Sequence, residues 1–254
     1  MIESSFVILE RVGHVLEQRL WQQGLHSWNH FQKAEHVDGL SQQRKLYYDR
    51  RLDSARTALN NYDSEFFTGL LPKADVWRLY DKFKEDAVFL DIETSGYYTD
   101  ITVVGLYDGL RTMTMVKGIN MDMAALKQHL KRYKLIVTFN GLSFDAVVLE
   151  RYYPGLLPRV PHFDVRFACQ RIGLVGGLKS IEKQLGIKRL PEVDGLSGAD
   201  APALWEAYKS TGNIKHLHKL VAYNEEDTVN LKILANHTFK ELKKKLVESY
   251  GLPT

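Results

Sequence analysis

The run AVFLDIE at residues 87–93 ends in two acids, Asp91 and Glu93, with a single isoleucine between them. A short apolar stretch of this kind reads as a buried strand. Residues two apart on a strand face the same way, so both carboxylates leave the sheet on one side. Two carboxylates about 4 Å apart repel by about 4 kcal/mol at an effective dielectric near 20, so the pair needs a proton, a cationic partner or a metal ion. A solvated strand edge would also satisfy this pattern, and distant residues have to decide between the two.

The texture of the chain changes around this strand. Residues 1–40 carry apolar positions at helical spacing, and 41–62 predict a basic amphipathic helix capped by Ser41. From Ala87 onward, AVFLDIE, ITVVGLYD and TMTMVKG predict three successive antiparallel strands, with Gly96 and Gly109 in the gaps. A helix over 121–133 follows, then a strand LIVTFN at 135–140 and a helix beginning at a Ser143 cap. A short strand near 162–164, a helix 178–186 stopped by Gly186, and helices over about 213–236 and 237–249 complete the reading. Strands first and helices alternating afterwards predict an α/β fold around a mixed sheet, with an all-helical N-terminal extension.

With 44% hydrophobic residues among 254, the chain can bury a sizeable core. Its one cysteine, Cys169, allows neither an intrachain disulfide nor a cysteine-based zinc cluster, which favours a reducing, cytoplasmic setting. The N-terminus lacks a sustained apolar block, so neither a signal peptide nor a membrane span is expected. A formal charge of +3 permits a polyanionic partner without arguing for one.

Two further segments bear on the acidic pair. Asp145, in NGLSFD, follows the strand LIVTFN where the chain turns into a helix. Capping and the helix dipole would account for it on its own. In YNEEDTVNL, Tyr223 and Asp227 are four apart, hence on one helical face, beside an apolar stripe of Leu220, Val221, Leu231 and Leu234. Together these sites supply four acids and a phenol. An oxygen-only ligand set without His or Cys suits Mg²⁺ or Mn²⁺ rather than zinc. Two such ions about 3.5–4 Å apart would polarise a phosphate, activate water and steady a leaving oxygen, which makes phosphodiester hydrolysis the natural chemistry.

FLDIET, FNGLSFD and YNEED match, in order and context, the three exonuclease motifs of the DEDD superfamily, tyrosine subtype, whose fold is RNase H-like (DnaQ-like). WRLYDKF, LKSIEKQLGIKR and LVAYNEEDTVNL most resemble the bacterial YprB-like exonucleases. The resemblance covers about residues 85–240 and implies 3′-to-5′ exonuclease activity on single-stranded DNA or RNA, with two divalent cations. Carried over, it makes Asp91, Glu93 and Asp227 ligands of one ion, with Asp91 bridging to a second that Asp145 holds, and Tyr223 the group that positions the water.

Thr94, Asn140, Phe144 and Lys179 are candidate substrate contacts. Asn140 and Phe144 either touch the terminal nucleotide or serve the turn and the core. Lys179, Lys183, Lys188 and Arg189 form a basic stretch usable for phosphate contact, and Glu225 and Glu226 are expected to be solvated. Asp164 matches none of the three motifs. GLVGGLKS fails as a phosphate-binding loop, because Leu178 stands where glycine is required.

The expected division is a helical region 1–84 and an exonuclease domain 85–254. Residues 9–31 resemble a degenerate helix-hairpin-helix, in which Arg11 takes the first hairpin glycine position and only Gly13 remains. Packing is its plainer role, with Arg11, Arg44, Lys45, Arg50 and Arg51 as possible backbone contacts. Two other functions stay open: a catalytically weak nucleic-acid-binding scaffold, and a structure-selective endonuclease on the same fold.

Overall fold

The computed structural model describes residues 1–96 and 100–253. Its first part is helical, with α1 (His14–Gln22), α2 (Trp28–Lys33) and α3 (Gln42–Asn60). The Ser41 hydroxyl accepts from the amide of Arg44 at 3.3 Å and starts α3 as expected. A 3-10 helix (Lys73–Leu79) and α4 (Tyr80–Phe83) lead into the sheet. Arg11 has a φ of 66°, a left-handed conformation that glycine would adopt at no steric cost.

The sheet has five strands: β1 (Ala87–Thr94), β2 (Ile101–Tyr107), β3 (Thr112–Val116), β4 (Leu135–Thr138) and β5 (His162–Asp164). Their order is β3-β2-β1-β4-β5, antiparallel on the β2 side of β1 and parallel on the β4 side. Around it lie α5 (Met123–Leu130), α6 (Asp145–Tyr152), α7 (Val165–Arg171), α8 (Leu178–Leu185), α9 (Ala201–Thr211) and α10 (Ile214–Tyr250). This is the mixed α/β architecture that the strand pattern predicts, in keeping with the RNase H-like fold that the motif resemblance implies.

Period-two alternation in β1 serves two cores. Val88, Leu90 and Ile92 point into a cluster with Leu126, Leu130, Val148 and Leu149 under α5 and α6. Ala87 and Phe89 join the larger cluster, which also holds Trp28, Trp77, Tyr80 and Leu234, so the N-terminal helices and the sheet share one continuous core. Asp91 and Glu93 continue the Phe89 face, towards α10. Pairing with β4 reaches only Phe89↔Val137, whereas pairing with β2 runs on through Asp91↔Gly105 to Thr94. The acids therefore stand where β1 has outrun its parallel neighbour, the kind of crevice in which α/β sheets bind ligands.

A buried ionic network ties the helical part to the rest. Arg78 grips Glu17 on α1 with two bonds of 2.7 and 2.9 Å, and its Nε donates to Asp75. Asp75 also accepts from Arg171 on α7 at 2.7 Å and pairs with His14. Burial pushes the Asp75 carboxyl up, but Arg78, Arg171 and His14 bring it below its ordinary value.

Two local expectations give way. α6 starts at Asp145 after Phe144, with no side-chain cap, because the Ala146 amide that a Ser143 cap would bind donates to the Gly141 carbonyl at 2.9 Å. The last two expected helices are one helix of 37 residues, about 55 Å long. No glycine or proline interrupts it before Gly251, whose left-handed φ of 63° ends it.

Candidate active site

β1 brings Asp91 and Glu93 to one side of the site, and α10 brings Tyr223 and Asp227 to the other. One ligand oxygen each from Asp91, Glu93 and Asp227 lie within 4.8 Å of one another. Asp145, at the start of α6, accepts from the Ile92 amide at 3.0 Å and lines the same cleft, outside that triad. The cleft has a volume of about 490 Å³, within the range of small-ligand sites.

The charge in this cleft is incompletely offset. Burial, then Asp227, Asp145 and Glu93, hold the Asp91 carboxyl well above the ordinary carboxylate range. Burial and Asp227 do the same to Glu93. Burial pushes Asp145 up to about 7 against the pull of its backbone hydrogen bonds. Carboxyls crowded in this way take up either protons or cations. The donors are all oxygens, so the set fits a hard divalent ion, with Asp91, Glu93 and Asp227 as the residues that could hold it.

Tyr223 is buried, and burial followed by Asp227, Glu93 and Asp91 raises its phenol pKa. Lys179, in the first turn of α8, hydrogen-bonds the Tyr223 hydroxyl, pairs with Asp227 Oδ2 at 2.8 Å, and lies 3.9 Å from the Tyr223 ring centroid. It thus sits at the acidic cluster itself. Lys183 and Lys188 are exposed, as a solvated basic stretch would be. Arg189 is turned inward and pairs with Glu182 and Asp227, which departs from the expected solvent-facing phosphate contact. Glu225 and Glu226 are half-buried rather than solvated, and Glu225 accepts from Thr114 at 2.8 Å.

Thr94, Asn140 and Phe144 also line the cleft. The Thr94 hydroxyl donates to the Gly96 carbonyl at 2.6 Å. Asn140 has a φ of 64°, and its side-chain oxygen accepts from Arg166. Asp164 supports this turn by accepting from the amides of Asn140, Leu142 and Arg166, a scaffolding role outside the three motifs. Phe144 packs on the core beneath α6.

Asn224 escaped the sequence reading. Its Nδ2 donates to Asp91 Oδ2 at 2.8 Å and to the Asp91 carbonyl at 3.3 Å. A signal was present in Gly105, a glycine inside an otherwise β-branched and apolar strand. A Cβ at Gly105 would overlap the Asn224 amide. Gly105→Ala is expected to displace Asn224 from Asp91 and destabilise the fold by about 1–3 kcal/mol. Urea denaturation checks this, and an unchanged midpoint would show that the space is not needed.

No curated protein and no solved structure matches the chain. The family model of the RNase H superfamily matches residues 88–239, more than half of the chain, and that span takes in β1, β4 and the part of α10 that carries Tyr223 and Asp227. The fold and the matched span agree, and the protein belongs to the RNase H superfamily.

Proposed function

We propose that the protein is a divalent-metal-dependent 3′-to-5′ exonuclease of single-stranded DNA or RNA, of the DEDD type and tyrosine subtype, similar to YprB-like proteins. RNase H superfamily membership suggests nucleic-acid hydrolysis in general. The observation that carries the finer reading is the meeting of Asp91, Glu93 and Asp227 within 4.8 Å, with the Tyr223 phenol on the same face of α10 as Asp227.

In this reading Asp91, Glu93 and Asp227 would hold one Mg²⁺ or Mn²⁺, and Asp145 would help to hold a second. When bound, such cations polarise the scissile phosphate, favour ionisation of the attacking water and offset charge on the departing oxygen. Tyr223 keeps its proton, because burial and then its acidic neighbours disfavour a phenolate, and orients the water through its hydroxyl. Lys179 is the cation available to the phosphate beside it. Thr94, Asn140 and Phe144 bound the space for the terminal nucleotide, and a cleft of about 490 Å³ suits a single unpaired end. Water adds to phosphorus, the bond to the 3′ oxygen breaks, that oxygen takes a proton, and a nucleoside 5′-monophosphate leaves.

Residues 1–84 act, on this account, as a helical extension that supports the sheet, and the setting is cytoplasmic. Among the described residues no helix is long and apolar enough to cross a membrane.

Tyr223→Phe removes one hydroxyl from the cleft. Turnover of a 3′-labelled oligonucleotide is expected to fall about 100-fold or more with Mn²⁺ affinity unaltered. Unchanged turnover would remove the water-orienting role.

A further inference from the structure

We infer that Arg189 is a positioning residue that fixes the Asp227 carboxylate in one orientation, so that Asp227 reaches the acidic cluster already set. The inference rests on the metal-dependent reading above. Arg189 lies in the irregular segment after α8, where sequence alone suggests a solvent-facing cation. Instead only 4% of its side chain is exposed.

Its contacts divide the two oxygens of Asp227. Nε and Nη2 of Arg189 donate to the two oxygens of Glu182, each at 2.6 Å, a forked grip that fixes the guanidinium plane. The same Nη2 donates to Asp227 Oδ1. Oδ2 is thereby left towards Lys179 and the cleft. Glu182 is held in turn by Asn230 Nδ2 at 3.1 Å, three residues along α10 from Asp227. A closed set of contacts through α8, this segment and α10 thus holds a single ligand oxygen.

The chemistry favours positioning over charge neutralisation. Glu182 and Arg189 form a neutral pair, so the contact orients the Asp227 carboxylate without adding net positive charge beside it. The grip of Glu182 on Nε and Nη2 keeps the guanidinium from swinging over the acids. A carboxylate held beforehand loses no rotamer freedom when the ion arrives. Partners that orient metal ligands in this way typically account for about 10- to 100-fold in affinity.

The test is Mn²⁺ binding to the full chain, read by electron paramagnetic resonance, beside a thermal melt of each variant in EDTA. Arg189→Met is expected to remain folded and to weaken Mn²⁺ binding about 10- to 100-fold. Arg189→Lys, which keeps the charge without the planar fork, should recover only part of the loss. A folded Arg189→Met protein that binds Mn²⁺ within about twofold of wild type would overturn the inference, since a purely structural ion pair would lower the melting temperature alone. If Arg189→Met does not fold, Glu182→Gln decides: weaker Mn²⁺ binding supports the positioning role, and unchanged binding overturns it. Asp91→Asn separates the two levels. If that variant binds Mn²⁺ like wild type, the metal-dependent reading fails and the inference falls with it; if only Asp91→Asn loses binding, the inference alone is wrong.

Discussion

Asp91→Asn is expected to lower Mn²⁺-dependent cleavage by about a thousandfold or more while raising the melting temperature measured in EDTA. The two effects have opposite signs because one carboxylate serves chemistry at the expense of stability. Burial and the neighbouring Asp227, Asp145 and Glu93 raise the Asp91 carboxyl well above its ordinary value. A carboxyl whose pKa is higher in the folded state holds its proton more tightly there than in the unfolded chain. Metal-free stability must then fall as pH rises from the ordinary carboxylate range upward, a window that reaches about 7 for Asp145. Removing one charge from the group should flatten that slope. Adding Mn²⁺ should stabilise wild type more at pH 8 than at pH 5, since the ligands must be deprotonated. Thermal melts across pH, with EDTA or Mn²⁺, check both statements. A melting temperature in EDTA that rises with pH would contradict the assignment of these groups as crowded acids.

Arg78→Met should cost about 3–5 kcal/mol, the largest stability loss expected of any single change at the junction of the helical part and the sheet. Arg78 is almost wholly buried and lies 5.8 Å and 5.6 Å from the rings of Trp21 and Trp77. Methionine preserves much of the volume, so the loss is not one of packing. It arises because Glu17 loses both strong bonds from Arg78 and keeps only the amides of Phe6 and Val7 and the Ser5 hydroxyl. Asp75 fares better, since Arg171 and His14 still bind it. Combining Arg78→Met with Glu17→Met should therefore recover part of the loss, since a buried charge is no longer stranded. Urea denaturation read by fluorescence gives the midpoints. A double variant less stable than Arg78→Met would argue that Glu17 stabilises through the Phe6 and Val7 amides instead.

Local periodicity explains which of these features were legible in the sequence. Period two in β1 put Asp91 and Glu93 on one face, and the four-residue spacing on α10 joined Tyr223 to Asp227; both rules need only neighbours in the chain. The meeting of β1 with α10 needs the sheet order, and the ordered acidic motifs pointed to it only through family resemblance. Arg189, Asn224 and the Arg78 network were invisible because their meaning depends on what lies opposite in space. An arginine in a polar loop looks solvated until Glu182 and Asp227 are seen to enclose it. Ser143 was a plausible cap by composition, but the Gly141 carbonyl takes the Ala146 amide that such a cap would bind. The boundary expected near residue 84 marks a change of secondary structure, which periodicity detects; the core that continues across it depends on tertiary contacts, which periodicity does not detect.

The most direct measurement offers the purified protein Mn²⁺ together with a linear single strand labelled at its 3′ end and a closed circular single strand. The account predicts that labelled mononucleotide appears from the linear strand, that EDTA or Asp91→Asn suppresses it, and that the circle stays intact. Cleavage of the circle would contradict action from an end, and Mn²⁺ binding without any product would contradict the assignment of the acidic cleft as a hydrolytic centre.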